Sequence, residues 1–207
     1  YLDLFFCHRP DPDTPLDEIV HTMNELIGRG KIFYWGTSEF SASDIQELYA
    51  IAQRDHLAGP TMEQTQHNLL HRRRVEVELK PVIARFGLGT TIYSPLAVGL
   101  LTGKYNDGVP AGSAYEKAGD WLRKQLNPET IAKVRQLTAL AAEMGMTTGQ
   151  LAIAWCLKNP SVSTAIIGAS RPEQVTENVA AVEYIEKLTP DVMSRIEAIF
   201  AAAPTSA

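Results

Sequence analysis

The chain is short of several features that usually betray a function class. Its 207 residues include two cysteines, Cys7 and Cys156, both in apolar surroundings. That excludes a disulfide framework and suits a reducing compartment, so the expected location is the cytoplasm. No apolar run reaches the ~18 residues that a membrane span needs; 151–157 is among the longer ones. No direct membrane insertion is therefore expected. Basic residues are the minority, 19 Lys and Arg against 24 Asp and Glu, for a net charge of −5. Nucleic-acid binders normally carry a basic footprint, so none is expected here. The one basic run, Arg72-Arg73-Arg74, is short and isolated and reads as a solvated helix start. Neither GxGxxG nor GxxxxGK[ST] occurs, so neither a Rossmann nor a P-loop nucleotide site is indicated. His67 and His71 stand four apart with Glu63 upstream, but no third ligand has a zinc spacing, and no metal is expected. There is also no initiating Met and no polar lead-in before the strand-like run that opens at Tyr1, which suggests further segments upstream.

What is present describes a soluble globular domain, 45% hydrophobic and 21% charged. A chain of this size buries roughly 70–75% of its unfolded surface without a staple. Short β-type runs alternate with longer runs of helical period. Strands are expected at 2–7, 31–36, 61–64, 89–93 and 163–167. Helices are expected at 16–29, 41–54, 77–86, 128–144, from Thr147 or Thr148 to 158, at 172–183 and at 189–200. Ser41 or Ser43 is the expected cap of the second helix, and Pro128 sits near the first position of the fourth. Each of the first four strands lies about one βα unit from the next, the period of a parallel sheet with crossover helices. Between Gly103 and Gly119 lies a segment rich in Gly and Pro, long enough to be a functional loop. No linker interrupts the pattern, so 1–207 reads as a single domain. Five βα units are too few to close an eight-stranded barrel, and an open doubly wound sheet is the other arrangement they allow.

The polar residues gather at the carboxyl ends of the strands, where α/β folds build their sites. The ends read Cys7-His8-Arg9-Pro10-Asp11, Gly36-Thr37-Ser38-Glu39, Glu63-Gln64-Thr65-Gln66, Tyr93-Ser94-Pro95-Leu96 and Gly168-Ala169-Ser170-Arg171. The set HRPD, YWGTS, EQ, YSPLAVGLLTGKY and IIGASRPEQVTEN resembles the second half of an aldo-keto reductase, in the branch that includes voltage-gated potassium channel β-subunits. The resemblance covers essentially the whole chain. It implies an α/β fold, a (β/α)8 TIM barrel, of which this chain holds strands four to eight. The first three strands, with the family's catalytic Asp, Tyr and Lys, would precede Tyr1.

The resemblance also implies roles. His8 matches the catalytic His that binds the substrate carbonyl oxygen, and a neutral imidazole polarises a carbonyl well. Animal channel β-subunits resemble NRPD at this place, so His8 favours a reductase over a purely regulatory protein. Ser38 and Gln64 match the residues that hold the nicotinamide carboxamide, and Tyr93 the ring that stacks on the nicotinamide. Ser94, Pro95, Leu96 and Ala97 fall in the pyrophosphate segment, where small residues and backbone N–H groups admit an anion. Lys104 adds a point charge. Gly168, Ser170, Arg171, Gln174, Glu177 and Asn178 match the adenosine end, where a Gly-containing turn opens a helix with free N–H groups. Arg171 favours NADP over NAD.

The implied function is reduction of an aldehyde or ketone by NADPH, with homo-oligomerisation possible. The alternative is an NADPH-binding regulatory subunit that docks on a channel. Two departures stand out: the Tyr and Arg that β-subunits carry near Gly112 and Ala114 are missing, and Glu39 replaces a residue that is basic in some relatives. None of the seven tyrosines sits in the motif of the family's proton donor. The chain alone is therefore expected to show weak or no reductase activity.

Overall fold

The computed structural model describes residues 1–117 and 124–201. They form two compact units. The first comprises 1–67, 71–93 and 160–164; the second comprises 68–70, 94–159 and the residues from 165 onward.

The first unit is built on a five-stranded sheet whose spatial order repeats the chain order. Strands β1 (Leu2–Cys7), β2 (Ile32–Ser38), β3 (Met62–Gln66) and β4 (Gly89–Tyr93) pair in parallel, and β5 (Val162–Ile166) begins in this unit at the far edge. Helices α1 (Leu16–Gly28), α2 (Ala42–Arg54) and α3 (Lys80–Phe86) make the crossovers. Each turns an apolar stripe toward the sheet, because apolar residues recur at helical spacing. Val20 and Met23 of α1, Ile45, Leu48 and Ile51 of α2, and Val82 and Ile83 of α3 are buried with Trp35 and Phe40. The Trp35 indole N–H donates to the Ala58 carbonyl at 3.0 Å, so its burial strands no polar atom. At Gly36 any side chain is excluded: a Cβ there would stand 2.4 Å from the Met62 carbonyl oxygen. On the other face of the sheet Leu2, Leu4 and Tyr34 are exposed.

Local chemistry places the elements as expected, with shifted ends. Ser41 caps α2 in a capping box with Asp44, whose carboxylate accepts from the Ser41 N–H at 3.1 Å. Strand β2 runs two residues further than expected, to Ser38, and β3 to Gln66, because the ladder continues as Gly36 with Met62, Thr37 with Glu63 and Ser38 with Gln64. The helix expected at 77–86 is instead a π-helical turn, Arg74–Glu78, followed by α3. Pro81 supplies the reason: it has no N–H for a bond back to residue 77, so a regular helix cannot run through. The Leu79 N–H bonds the Arg74 carbonyl five residues back, at 2.8 Å.

The second unit is helical. It contains the 3-10 segment Ala97–Thr102, the short helix α4 (Ala114–Lys117), α5 (Pro128–Glu143), α6 (Thr148–Lys158), α7 (Pro172–Val179), a 3-10 stretch Ala180–Lys187 and α8 (Pro190–Phe200). Asn127, Thr147 and Thr189 cap α5, α6 and α8 through their side-chain oxygens. Helix α6 is apolar all round and every residue from Thr148 to Cys156 is buried, the pattern of a central helix. It packs on Ala180–Lys187 and on Ala97–Thr102, while α8 packs on α5. The helix expected at 172–183 is thus an α-helix to Val179 and a 3-10 stretch to Lys187. The segment expected to be loop from Gly103 carries α4, and Gly119 lies outside the described residues.

Candidate functional site

In the first unit the sheet sorts its polar residues by face. Side chains alternate along a strand, so Ser38, Gln64, Thr91 and Tyr93 share one face and Thr37, Glu63 and Thr65 the other. Ser38 is the last residue of β2 and is buried; its register partner on β3 is Gln64, and Gln64 in turn faces Thr91 on β4. Tyr93 closes β4, half-buried, beside Gln66. Ser38 and Gln64 are thus register partners on adjacent strands, and Tyr93 lies on the same sheet face, two residues further along the next strand. His8 follows the last residue of β1 in an exposed loop. In that loop the Asp11 carboxylate accepts from the Thr14 hydroxyl at 2.8 Å and the Asp13 N–H at 3.0 Å, which holds its carboxyl below the ordinary range.

The opposite face carries a charged network that the motifs do not single out. Glu63 is fully buried. The Thr37 hydroxyl donates to its Oε2, and Arg74 Nη2 stands 3.7 Å from its Oε1. Burial outweighs these partners and pushes the Glu63 carboxyl up to about 7. Glu39, the departure noted in the sequence, belongs to this network. Its carboxylate turns to this face, accepts from the Gln66 N–H at 2.8 Å and pairs with Arg74 at 3.2 Å. Glu39 lies beyond the last residue of β2, and on the helix side its charge requires a partner.

The three arginines are paired rather than bare. Arg72 bonds Glu76 at 2.9 Å, Arg73 bonds Glu78 at 3.0 Å, and Arg74 joins the network above. Among the described residues no group of three or more His, Cys, Asp or Glu has a metal-holding arrangement.

In the second unit the segment after β4 is unusual in its backbone. Ser94, Ala97 and Val98 have φ of 53, 47 and 56°, and Gly99 has 86°. Left-handed conformations cost a non-glycine residue of the order of 1 kcal/mol or more, and they cluster at ligand sites. Neighbours over-determine them. The Asn68 side chain donates to the Ser94 carbonyl at 2.9 Å, the Ala97 N–H bonds Ser94 and the Gly99 N–H bonds Leu96. Asn68 is buried and was missed by the motif reading, since it belongs to none of the matched segments. Pro95 and Ala97 are buried beneath this turn and Leu96 is half-buried. Lys104 folds across it, with Nζ 5.0 Å from the centre of the Tyr105 ring. Tyr105 in turn packs on Tyr115, 4.6 Å between ring centres. Burial, with Tyr105 beside it, pushes the Tyr115 phenol up to about 12.

The adenosine-end residues gather at the start of α7. Gly168, Ser170, Arg171 and Glu177 are exposed, and Gln174 and Asn178 half-buried. The free N–H groups expected here are taken. Gln174 Oε1 accepts from the Ser170 N–H at 2.8 Å, the Ser170 hydroxyl at 3.2 Å and the Arg171 N–H at 3.2 Å. A side chain at the third helical position reaching back is ordinary capping chemistry. Helix α7 is anchored further along by Gln150, whose amide donates to the Glu177 carbonyl at 3.1 Å.

Comparison with known proteins gives the family. Residues 1–201 match the model of the Aldo/keto reductase family. The chain is 48% identical over 203 residues to a putative voltage-gated potassium channel subunit beta of Schizosaccharomyces pombe, covering 96% of this chain and 59% of that protein. It is 46% identical to a probable voltage-gated potassium channel subunit beta of Oryza sativa subsp. japonica, over 99% of this chain and 63% of the relative. A protein of the same description from Arabidopsis thaliana is 45% identical, again over 99% and 63%. The chain thus spans about three-fifths of the length of the curated relatives it matches. With the family match running through every strand and every helix described above, the chain belongs to the aldo/keto reductase family.

Proposed function

We propose that this chain is part of an NADPH-dependent reductase of aldehydes or ketones, its five strands being strands four to eight of a (β/α)8 barrel. The observation that carries the reading is the pairing of Ser38 with Gln64 in register on one sheet face, with Tyr93 closing the strand beyond. A hydroxyl beside a primary amide offers both donors and acceptors, which is what a carboxamide requires. Tyr93 offers an aromatic face. In the second unit Lys104 and the left-handed turn at 94–99 suit a diphosphate, and Ser170, Arg171, Gln174, Glu177 and Asn178 suit a phosphorylated adenosine. NADPH, when bound, supplies the hydride. His8 contributes a hydrogen bond to the substrate carbonyl oxygen, where negative charge develops. Cytoplasmic residence is part of this reading and rests on the two free thiols. Among the described residues no helix is long and apolar enough to cross a membrane.

The names of the relatives favour a second reading, an NADPH-binding regulatory subunit of a channel. His8 favours the enzyme. The test is NADPH titration by fluorescence, followed by aldehyde turnover in a protein that carries this chain together with the remaining length of its relatives. Steady turnover that falls at least tenfold in H8A supports the reductase. Binding without turnover, with a channel co-purifying, supports the subunit, and no NADPH binding overturns both.

A further inference from the structure

The charged network on the helix side of the sheet has no part in the reading above, yet it grips the residues on either side of Ser38 and Gln64. Thr37 and Glu39 flank Ser38; Glu63 and Thr65 flank Gln64. One side chain reaches both strands. Arg74, at the start of the π-helical turn, places Nε 3.2 Å from Thr65 Oγ1 and 3.2 Å from Glu39 Oε2. Its Nη2 donates to the Phe40 carbonyl and stands 3.7 Å from Glu63 Oε1.

Glu39 extends the β2–β3 ladder beyond its last regular rung. Its N–H bonds the Gln64 carbonyl at 3.2 Å, and its carboxylate accepts from the Gln66 N–H at 2.8 Å and the Thr65 hydroxyl at 3.3 Å. To do both it adopts φ of 60°, a conformation a glutamate holds only where its surroundings fix it. Arg74 supplies that fixing charge.

We propose that Arg74 is a positioning residue for the Ser38–Gln64 pair, acting through Glu39 and Glu63 from the opposite face of the sheet. The proposal rests on the assignment of Ser38 and Gln64 to the nicotinamide carboxamide. The planar guanidinium suits the task because its five donors diverge in fixed directions, which a single ammonium cannot reproduce. Glu78, 3.7 Å from Arg74 Nη1, and Arg9, 4.0 Å from Glu39, are the other charges that face the cluster. Both lie at its rim, more exposed than Arg74 and Glu39, where screening weakens them.

The experiment compares wild type, R74M and R74K in two assays. In amide hydrogen exchange without added cofactor, R74M speeds exchange at the Gln66 and Glu39 amides and R74K partly restores protection. In titrations, R74M weakens NADPH binding by about tenfold but leaves adenosine 2′,5′-bisphosphate binding unchanged, since that ligand lacks the nicotinamide half. Equal loss for both ligands, or unchanged exchange at Gln66, overturns the proposal. If wild type binds no NADPH, the functional reading falls and the exchange data alone decide whether Arg74 fixes the strand ends. If R74M does not fold, E39Q carries the same expectations, because it keeps the side-chain shape and removes only the charge that meets Arg74.

Discussion

The ammonium of Lys104 lies 2.7 Å from the point where a Cβ on Gly99 would stand. The φ of 86° favours glycine there, and any side chain would also push aside the flexible end of the lysine laid across its backbone. In G99A the turn is strained and Lys104 is displaced, and the expected cost is about 1–3 kcal/mol of stability. NADPH affinity falls with it. K104M keeps the fold and loses only the charge, so its affinity for NADPH falls while its melting temperature stays within about a degree or two of wild type. Calorimetry and fluorescence titration check the pair.

Glu63 sets a pH dependence of stability. Its folded carboxyl titrates near 7, above the ordinary carboxylate value of 4.5. Between those values the folded state binds the extra proton, so the contribution is full below about 4.5 and is lost as pH rises through about 7. The size is at most on the order of 3 kcal/mol. E63Q, which cannot ionise, flattens the slope of melting temperature against pH from 5 to 8 and is the more stable protein at pH 8. An unchanged slope refutes the assignment.

Gln174 holds the N–H groups of Ser170 and Arg171. A phosphate approaching that turn must compete with an amide oxygen already in place. In Q174A both amides exchange faster in the absence of ligand. The loss of the cap costs about 1 kcal/mol. Adenosine 2′,5′-bisphosphate restores their protection if the turn takes a phosphate; NMR-detected exchange reads all three states.

The 207-residue chain by itself is expected to reduce no aldehyde. His8 is present, but none of its seven tyrosines stands in a proton-donor motif. NADPH consumption above background by the purified chain, abolished in H8A, contradicts this.

Much of this was legible in the order of residues, and the exceptions have physical causes. The five strands, their parallel order and the caps at Ser41 and Thr147 follow from period and local hydrogen-bonding chemistry. Ser38 looked like a loop residue because GTS carries turn-forming types; the ladder to Gln64 keeps it in the strand. The π-helical turn at Arg74 was hidden because its cause is one missing N–H at Pro81, which apolar spacing does not register. Glu39, Glu63 and Arg74 were each visible as charges, but their convergence depends on β2, β3 and the following turn being folded together. Gln174 has a residue type that suits a ligand contact, and its capping of its own turn depends on rotamer rather than on type.

The agreement between chain order and sheet order has a kinetic meaning. Leu2 pairs with Ile32, Gly36 with Met62 and Met62 with Gly89, so each new strand closes a loop of roughly thirty residues or fewer. A strand leaving the ribosome meets the one made just before it and waits for nothing synthesised later. The sheet can be laid down in the direction of translation, one βα unit at a time, and only its last strand is separated from its neighbour by a long stretch of chain.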